Sequence, residues 1–539
     1  MSIESPQRRA RFRHAAGTGT LLRFALRRER FTLPGWVLGA VTLLVLQSVS
    51  SQRFYDTPAK LAQLRNTMAG NAAAVAMGGP TRLLDTIGGE ILFEIFGYLA
   101  IVVALMNMFL VGRLTRTDEE SGRMELIRSA PVGRRAPVIA ALLLAGLANL
   151  TVALAIIAAA IATGLPVHGS LLLGVAVAGV GATFAALTAV AAQVFENPRS
   201  VYGSVALLLA VAYVLRAIGD IGDGTLSWAS PLGWGQRTYP YVAERWWPLL
   251  LFAVASVGLT AVAFALLGRR DLGAGLLAYA TGRPTASWTL RSSLSLAWRL
   301  QRGTLLGWCV GVFGLGAAYG SFANSIEEYL ADNPEFATYL PGGAADAVNS
   351  YLALTLSMLA LLASAYAIGS VLRARAEEVA GRLEPILAVP VSRHAWFGGH
   401  LSVALIGSAI VLAAGGFGEG LTHGLAISDA GELSRLTLAA LVYLPAVWIV
   451  AALAAVAVGW LPRAAITLAW SVFAYCVLAV LFTTSFDLPD WFDDAAPFAH
   501  TPQAPLEAAT ALPLLVLVGV GAAGIALALT GLRRRDIGI

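Results

Sequence analysis

A charged motif that occurs twice is the part of this sequence with the clearest chemical logic. The first copy, residues 116–134, reads R-T-D-E-E-S-G-R-M-E-L-I-R-S-A-P-V-G-R, and the second, residues 375–393, reads R-A-E-E-V-A-G-R-L-E-P-I-L-A-V-P-V-S-R. Acids and arginines four residues apart pair along a helix, and the prolines predict where a short helix stops. The motif therefore predicts a rigid, charged helix that docks into a partner's groove, or alternatively a salt-bridged cap over a helix bundle.

Acids inside apolar stretches form a second group of chemical candidates. Glu90 and Glu94 stand one turn apart in G-G-E-I-L-F-E-I-F, at the predicted outer end of a membrane span. Because burying a charge in lipid costs at least about 2.5 kcal/mol, such residues are functional candidates by default. They are predicted to contact cationic cargo or, alternatively, to form a rim pair that reaches water, and Glu94 is the one obvious acid for proton coupling. Arg216 and Asp220 are predicted to form an interfacial ion pair.

Most enzymatic and metal chemistry finds no suitable residues in this chain. The sequence contains no H-E-x-x-H, its 6 histidines lack metal-ligand spacing, and its two cysteines, Cys309 and Cys476, lie in apolar runs. A P-loop needs G-x-x-x-x-G-K-[ST], whereas Lys60, the only lysine, lies in P-A-K-L. We therefore expect no bound metal or cofactor, no disulfide and no ATP hydrolysis by the chain itself.

The elements that must position these residues are membrane-spanning helices. The chain has 539 residues, of which 57% are hydrophobic and 13% are charged, and its mean hydropathy is +0.71. Soluble domains carry about 25% charged residues, so the composition predicts an all-α integral membrane protein. The arginines sit beside apolar runs, as in the positive-inside pattern, so no nucleic-acid partner is expected.

Apolar runs long enough to span the hydrocarbon, about 20 residues, recur in two sets of six. The predicted spans are 34–51, 88–112, 136–163, 170–194, 201–219 and 247–268, then 304–322, 349–371, 396–416, 437–461, 464–486 and 509–532. Pro198-Arg199 matches Pro462-Arg463 (462 − 198 = 264), and Arg269-Arg270-Asp271 matches Arg534-Arg535-Asp536 (534 − 269 = 265). Six spans per half give both copies the same orientation, which predicts two parallel repeats.

An arginine-rich segment precedes the first span of each half. Arg27-x-x-Arg30 before Trp36 recurs as Arg299-x-x-Arg302 before Trp308 (308 − 36 = 272), so the first apolar run is not expected to be a cleaved signal peptide. The pattern predicts an amphipathic helix on the membrane surface in each half, or alternatively a juxtamembrane charge cluster. The candidate lipid-facing arginines are Arg23, Arg27, Arg30, Arg299 and Arg302.

The repeat marks also predict the domain boundaries. The predicted parts are a basic leader with the first surface helix, 1–33; a six-helix half, 34–275; a linker with the second surface helix, 276–303; and a second six-helix half, 304–539.

Loop charges predict the orientation in the membrane. Both motif loops, the segment 269–303 and the arginines at 533–535 are basic, whereas the alternate loops carry the acids of 220–223, 327–335 and 487–494. Both termini and both motifs are therefore predicted to be cytoplasmic, in the inner membrane of a bacterium. Two long outer loops, 52–86 and 323–348, are predicted to be amphipathic caps with a role in a gate, or alternatively solvated connectors.

Taken together, these features resemble an ABC-2 type exporter permease, in the double-length actinobacterial form grouped with polyketide-antibiotic (tetronasin-type) exporters. The resemblance covers nearly the whole chain, because surface helix, outer loop, charged segment and Arg-Arg-Asp ending each occur twice. In that family the helix between the second and third spans of each half is a coupling helix that contacts an ATPase. The resemblance implies this role for Glu119, Gly122, Arg123, Glu125 and Pro131, and for Glu378, Gly381, Arg382, Glu384 and Pro390.

The resemblance implies the permease subunit of an ATP-driven multidrug exporter for amphipathic or hydrophobic cargo such as antibiotics, drugs or lipids. ATP and Mg would bind a separate ATPase subunit, in two copies because the chain has two coupling segments. The alternative is a proton-coupled secondary drug transporter of the major-facilitator type, whose charged loop motif resembles Gly112-Arg113 through Gly122-Arg123. The paired surface helices and large outer loops count against this alternative. A third class, a membrane-embedded transferase, is disfavoured because the sequence shows no recognisable set of catalytic residues.

Overall fold

The computed structural model describes residues 15–271 except 56 and 70, residues 273–277, 285, 290 and 292–326, and residues 346–482 and 489–535. Contacts divide the chain into two compact units, Met1–Gly282 and Arg283–Ile539, and the division falls within the predicted linker 276–303. Several predicted features lie outside the described residues: the leader arginines up to Arg13, most of the linker, the acids of 327–335, Asp487 and Asp536.

Unit 1 is a bundle of helices in the residues that the structure describes. They are α1 (Thr18–Arg28), α2 (Thr32–Phe54), α3 (Pro58–Ala69), α4 (Ala72–Gly78), α5 (Ile87–Gly112), α6 (Arg123–Arg128), α7 (Ala136–Ala162), α8 (Val167–Val194), α9 (Pro198–Ile221), α10 (Pro231–Gln236) and α11 (Leu249–Arg269). The long helices α5 and α8 are buried on most sides and form the centre, whereas α2 and α11 are largely exposed at the periphery. A helix that is apolar all round and exposed is suited to face lipid.

Unit 2 is also a bundle of helices in the part of the chain that the structure describes. Its helices are α12 (Ser293–Phe322), α13 (Ala347–Val379), α14 (Leu383–Leu387), α15 (Arg393–Ile427), α16 (Gly431–Val442), α17 (Leu444–Trp460), α18 (Ala465–Phe482), α19 (Asp490–Asp494) and α20 (Ala511–Arg534). Here α13 and the continuous pair α16–α17 are the buried central helices, and α12 and α20 are peripheral.

Eleven helices in the described ranges are long and apolar enough to cross a membrane, so the chain is an all-helical, multi-pass membrane protein. The twelfth predicted span, 464–486, falls on α18, which is apolar but only 18 residues long. At 1.5 Å per residue α18 reaches about 27 Å, slightly less than the hydrocarbon thickness of about 30 Å. Residues 483–488 lie outside the described part of the chain. Two complete sets of six spans therefore stay a prediction.

The predicted surface helices differ between the units. In unit 1, α1 is a separate helix that ends before α2 begins at Thr32. In unit 2 no separate helix precedes the span among the described residues, because α12 runs unbroken from Ser293 to Phe322. The position of Pro34 is taken by Leu306 (306 − 34 = 272). Since proline cannot continue a helix that precedes it, Pro34 separates α1 from α2, and its absence lets α12 continue.

The loop of unit 1 that is predicted to be an outer loop, residues 52–86, is in its described residues a folded cap rather than a solvated connector. The helix α3 buries Leu61, Leu64 and Met68 on one face, as its amphipathic pattern predicts. Arg216 in α9, which is 1% exposed, donates to the carbonyls of Ala76 at 2.7 Å and Met77 at 3.2 Å, at the end of α4. An arginine at a helix C-terminus pairs with its free carbonyls, so this side chain holds the cap onto the bundle.

Arg216 therefore does more than form the predicted ion pair with Asp220. Asp220 lies 3.7 Å from Arg216 and 3.3 Å from Arg237, and it accepts a hydrogen bond from Ser227 at 2.7 Å. The predicted pair exists, but it belongs to a buried network that also fixes the segment leading into α10.

A glycine crossing joins α12 and α15 in unit 2. A Cβ added at Gly316 would lie 2.1 Å from the carbonyl oxygen of Gly415, and one added at Gly320 would lie 2.1 Å from that of Glu419. Small residues four apart let the backbones of membrane helices approach closely. These glycines are therefore required for packing, and they bring the acidic residue Glu419 into the interior of unit 2.

Candidate functional site

The first motif segment, residues 116–134, begins inside the end of a long helix. The helix α5 continues past Gly112 through a π-helical turn to Glu120, and the chain then turns at Gly122 before α6. Gly122 has a φ of 73° and Gly381 in the second segment has a φ of 67°. A Cβ at either position would meet no atom within 4 Å. The left-handed backbone, rather than crowding, therefore favours glycine at both sites.

Glu119 lies inside unit 1 and not on its surface. Its side chain is 9% exposed and pairs with Arg116, one turn earlier, and with Arg270, directly after α11. The guanidinium of Arg270 donates to both carboxylate oxygens, from Nη2 at 2.6 Å and from Nη1 at 2.9 Å. A two-point contact of this kind fixes the orientation of both groups. Glu119 therefore ties the end of α5 to the end of α11.

Glu378 makes the equivalent connection in unit 2. Arg375, one turn earlier, contacts it at 3.1 Å, and Arg535, directly after α20, contacts it at 2.8 Å. All three residues correspond to the unit 1 group at the offsets of the sequence repeat. We call this arrangement, a motif Glu between two arginines, the end clamp.

The last arginine of each motif strengthens the end clamp. Arg134 donates to the carbonyl of Leu267 at 2.9 Å and also to that of Arg270. Arg393 donates to the carbonyl of Arg535 at 3.0 Å. These contacts provide hydrogen-bond donors for carbonyls that the ends of α11 and α20 leave unpaired. Both ends of each motif segment are thus attached to the same terminal helix of their unit.

Most of the other predicted residues are exposed, on the short helices α6 and α14 or beside them. The exposed predicted residues are Arg123, Glu125, Pro131, Arg382, Glu384 and Pro390. Beside Glu125, the apolar side chain of Leu126 is 76% exposed, and Val379 and Val389 are exposed in the second segment. Sequence reasoning did not single out these three apolar residues. Charged and apolar side chains exposed together are typical of a contact surface.

The helix α1 is attached to the first motif segment. Arg28 contacts Asp118 at 2.9 Å, and Arg113 contacts the buried Glu29 at 2.9 Å. The predicted lipid-facing residues Arg23, Arg27 and Arg30 are exposed, and so are Arg299 and Arg302 on α12.

Unit 2 uses different residues for the corresponding link. Glu377, at the position of Asp118, lies 3.1 Å from Nε2 of His400 and accepts a hydrogen bond from the indole of Trp396 at 3.4 Å. The amide of Gln301, at the position of Glu29, lies 3.3 Å from Nδ1 of the same histidine. The motif offset shows that Glu377 corresponds to Asp118, but no pattern in the sequence identified His400 as its partner.

The structure holds a buried acid that sequence reasoning missed. Glu419 in α15 is 0% exposed, and Thr355 donates to one of its oxygens at 2.6 Å. Its other oxygen has no hydrogen-bond partner among the described residues. Glu94 is therefore not the only acid inside an apolar run, and the run G-G-F-G-E-G was a usable signal for Glu419. The role of Glu94 in proton coupling stays a prediction. Glu90 is 1% exposed, which argues against a rim pair that reaches water, and Glu94 is half-buried.

Comparison with known proteins places this architecture in a family. The family model described as the multidrug efflux system permease Rv1217c, C-terminal domain, matches residues 19–267 and 290–533. The chain belongs to this family of efflux permeases. The multidrug efflux system permease protein Rv1217c of Mycobacterium tuberculosis (strain ATCC 25618 / H37Rv) is 39% identical over 536 residues, which cover 98% of this chain and 97% of that protein. This chain is therefore an efflux transporter permease. Its sequence contains no P-loop motif.

Proposed function

We propose that this permease is the membrane subunit of an ATP-driven exporter of the ABC-2 type, powered by separate ATPase subunits. The end clamp, built twice, is the observation that carries the proposal. Each clamp connects an exposed motif segment to the end of a peripheral helix through a buried acid, Glu119 or Glu378. A partner that pushes on α6 or α14 would therefore displace α11 or α20 as well.

The two exposed motif segments also suggest how many ATPase subunits the complex contains. Two exposed segments on one chain require two ATPase copies, and ATP and Mg would bind to those subunits. The basic motif ends of the helices would face the cytoplasm, with both termini on that side. The family model matches both 19–267 and 290–533, which supports two parallel repeats of six spans with α18 as the twelfth.

The cargo that we propose is amphipathic or hydrophobic: antibiotics, including polyketides of the tetronasin type, other drugs or lipids. A cavity of about 780 Å³ in unit 2, between α17, α18 and α20, supports this class. Its wall is mainly apolar, with Leu453, Val472 and Val516 beside Tyr475 and His500. Drug-sized ligands occupy pockets of about 300–1,000 Å³ with few polar groups. Glu90 and Glu94 would contact cargo that carries a positive charge.

One observation favours a second candidate, a proton-coupled drug transporter. Glu419 is a fully buried carboxyl in a membrane helix, held by the hydroxyl of Thr355. Intramembrane acids of this kind serve as proton carriers in secondary transporters. The end clamps have no evident role in that mechanism, so we rank it second.

Capture of an ATPase from native membranes tests the first proposal. The tagged permease would be purified in mild detergent and assayed for vanadate-sensitive ATP hydrolysis. The test variant is Glu125→Arg with Glu384→Arg, because both residues are exposed on α6 and α14. The matched control is Arg533→Glu, which reverses an exposed charge at the end of α20 and outside both motif segments.

The proposal expects ATPase activity with the wild type and the control, and its loss with the double variant at normal expression and monodispersity. ATPase capture that is equal in all three samples would contradict docking on α6 and α14. Absence of any ATPase, together with proton-driven uptake in liposomes that Glu419→Gln abolishes, would favour the second candidate.

A further inference from the structure

A polar cavity of about 300 Å³ lies between the first motif segment and the end of α11. It is lined by Arg128, Val132, Arg134, Leu267, Arg270 and Asp271. Three of these side chains are cationic and one is anionic, which leaves an excess of two positive charges (3 − 1 = 2). Arg128 is the last residue of α6, whereas the exposed Glu125 and Leu126 are not among the residues that line the cavity.

Arg128 is the arginine of this cavity that the end clamp does not use. Arg270 is held by Glu119, and Arg134 donates to backbone carbonyls. Arg128 makes no hydrogen bond among the described residues. Burial lowers the pKa of Arg128, the neighbouring cations Arg134 and Arg270 lower it further, and Glu119 opposes the shift. An arginine stays charged under these conditions, so the side chains that line the cavity keep an excess of positive charge.

We propose that this cavity binds a phosphate group, and that the phosphate belongs to the headgroup of an anionic phospholipid. Guanidinium groups match phosphate oxygens in geometry and form two-point contacts with them. The carboxylate of Asp271 disfavours a doubly charged phosphate monoester more than the singly charged phosphodiester of a lipid. Val132 and Leu267 provide apolar wall at the end of a membrane-exposed helix, the level at which headgroups lie.

The second unit supplies a natural comparison. Arg134 and Arg270 correspond to Arg393 and Arg535, but Arg128 corresponds to Leu387 (387 − 128 = 259). Leu387 packs against the apolar core of unit 2. The proposed phosphate site is therefore confined to unit 1, and Arg128→Leu converts it to the side chain that the chain itself uses at the other copy.

The test measures the thermal stability of the full-length permease in nanodiscs. One series contains phosphatidylcholine alone, a second adds increasing phosphatidylglycerol, and a third adds inorganic phosphate to phosphatidylcholine discs. Wild type is compared with Arg128→Leu and with the control Arg533→Leu, which removes an exposed arginine at the end of α20. Native mass spectrometry of the wild type in detergent reports retained phosphatidylglycerol directly, which keeps the test valid if Arg128→Leu folds poorly.

The proposal expects a rise in melting temperature with phosphatidylglycerol but not with free phosphate. Arg128→Leu should weaken the response about tenfold in lipid concentration, the effect of losing one charged hydrogen-bonding group, and Arg533→Leu should leave it unchanged. A response to free phosphate that also requires Arg128 would support the phosphate site but assign a soluble ligand. Equal lipid responses of the wild type and Arg128→Leu, or no retained phosphatidylglycerol, would overturn the proposal.

Discussion

Replacing Glu119 by Gln tests whether this motif acid stabilises the permease internally or contacts a partner. Glu119 lies within the end clamp, whereas Glu125 of the same motif is exposed on α6. If the clamp is internal, Glu119→Gln destabilises the permease itself. If all motif acids instead contact a partner, neither substitution affects the isolated chain.

The expected magnitude follows from burial. Arg116 and Arg270 are 1% and 3% exposed, so Glu119→Gln leaves two buried cations without their counterion. Removing one member of a buried ion pair costs about 3–5 kcal/mol. Because the amide oxygen of Gln still accepts one hydrogen bond, we expect the lower end of that range, about 3 kcal/mol. Glu125→Gln should change the free energy of unfolding by less than about 0.5 kcal/mol.

Reversible unfolding in mixed micelles measures both values on the purified chain. Glu378→Gln is a second test and should cost less than Glu119→Gln, because Arg535 contacts Glu378 through one nitrogen and is 13% exposed. A free energy of unfolding for Glu119→Gln within about 0.5 kcal/mol of the wild-type value would refute a stabilising role for the end clamp. The folded fraction of Glu119→Gln should still capture ATPase, unlike the charge-reversed double variant.

Three further substitutions test the fold by the same unfolding measurement. Leu306→Pro should lower the free energy of unfolding by about 3 kcal/mol because it breaks α12. Leu306→Ala at this lipid-facing position should lower it by less than about 1 kcal/mol. Similar losses for the two variants would contradict the role given to Pro34. Gly122→Ala should cost about 1–2 kcal/mol through backbone strain alone, and a cost near zero would mean that the turn adapts. Thr355→Val should cost about 1–3 kcal/mol by leaving Glu419 unsatisfied, and Glu419→Gln should relieve part of that cost.

The spans were largely predictable because their signal is local. An apolar run of sufficient length determines a membrane helix without knowledge of its neighbours, and predictions such as 136–163 agree with Ala136–Ala162 to within a residue. Continuity between helices was less predictable. The repeat favoured a separate surface helix in both units, but a single proline decides whether the helix breaks.

The end clamps could be predicted only in part. The repeat located Glu119 and Arg270, each in a matching pair of motifs, but their contact joins residues 151 positions apart. Such a contact depends on how α5 and α11 pack, which no local pattern encodes. The prediction that Glu119 and Glu125 act together therefore grouped a buried residue with an exposed one.

The two motif segments have kept one contact and changed another, and this difference is informative. The end clamp is an arginine–glutamate group in both units, yet the acid one residue earlier pairs with Arg28 in unit 1 and with His400 in unit 2. Arginine is charged at all physiological pH values, whereas a histidine carries charge only when protonated. The end clamp is thus the contact that both units share, and the link to the first helix makes the two motif segments inequivalent. If two identical ATPase subunits bind, as we propose, each would contact a different surface of the chain.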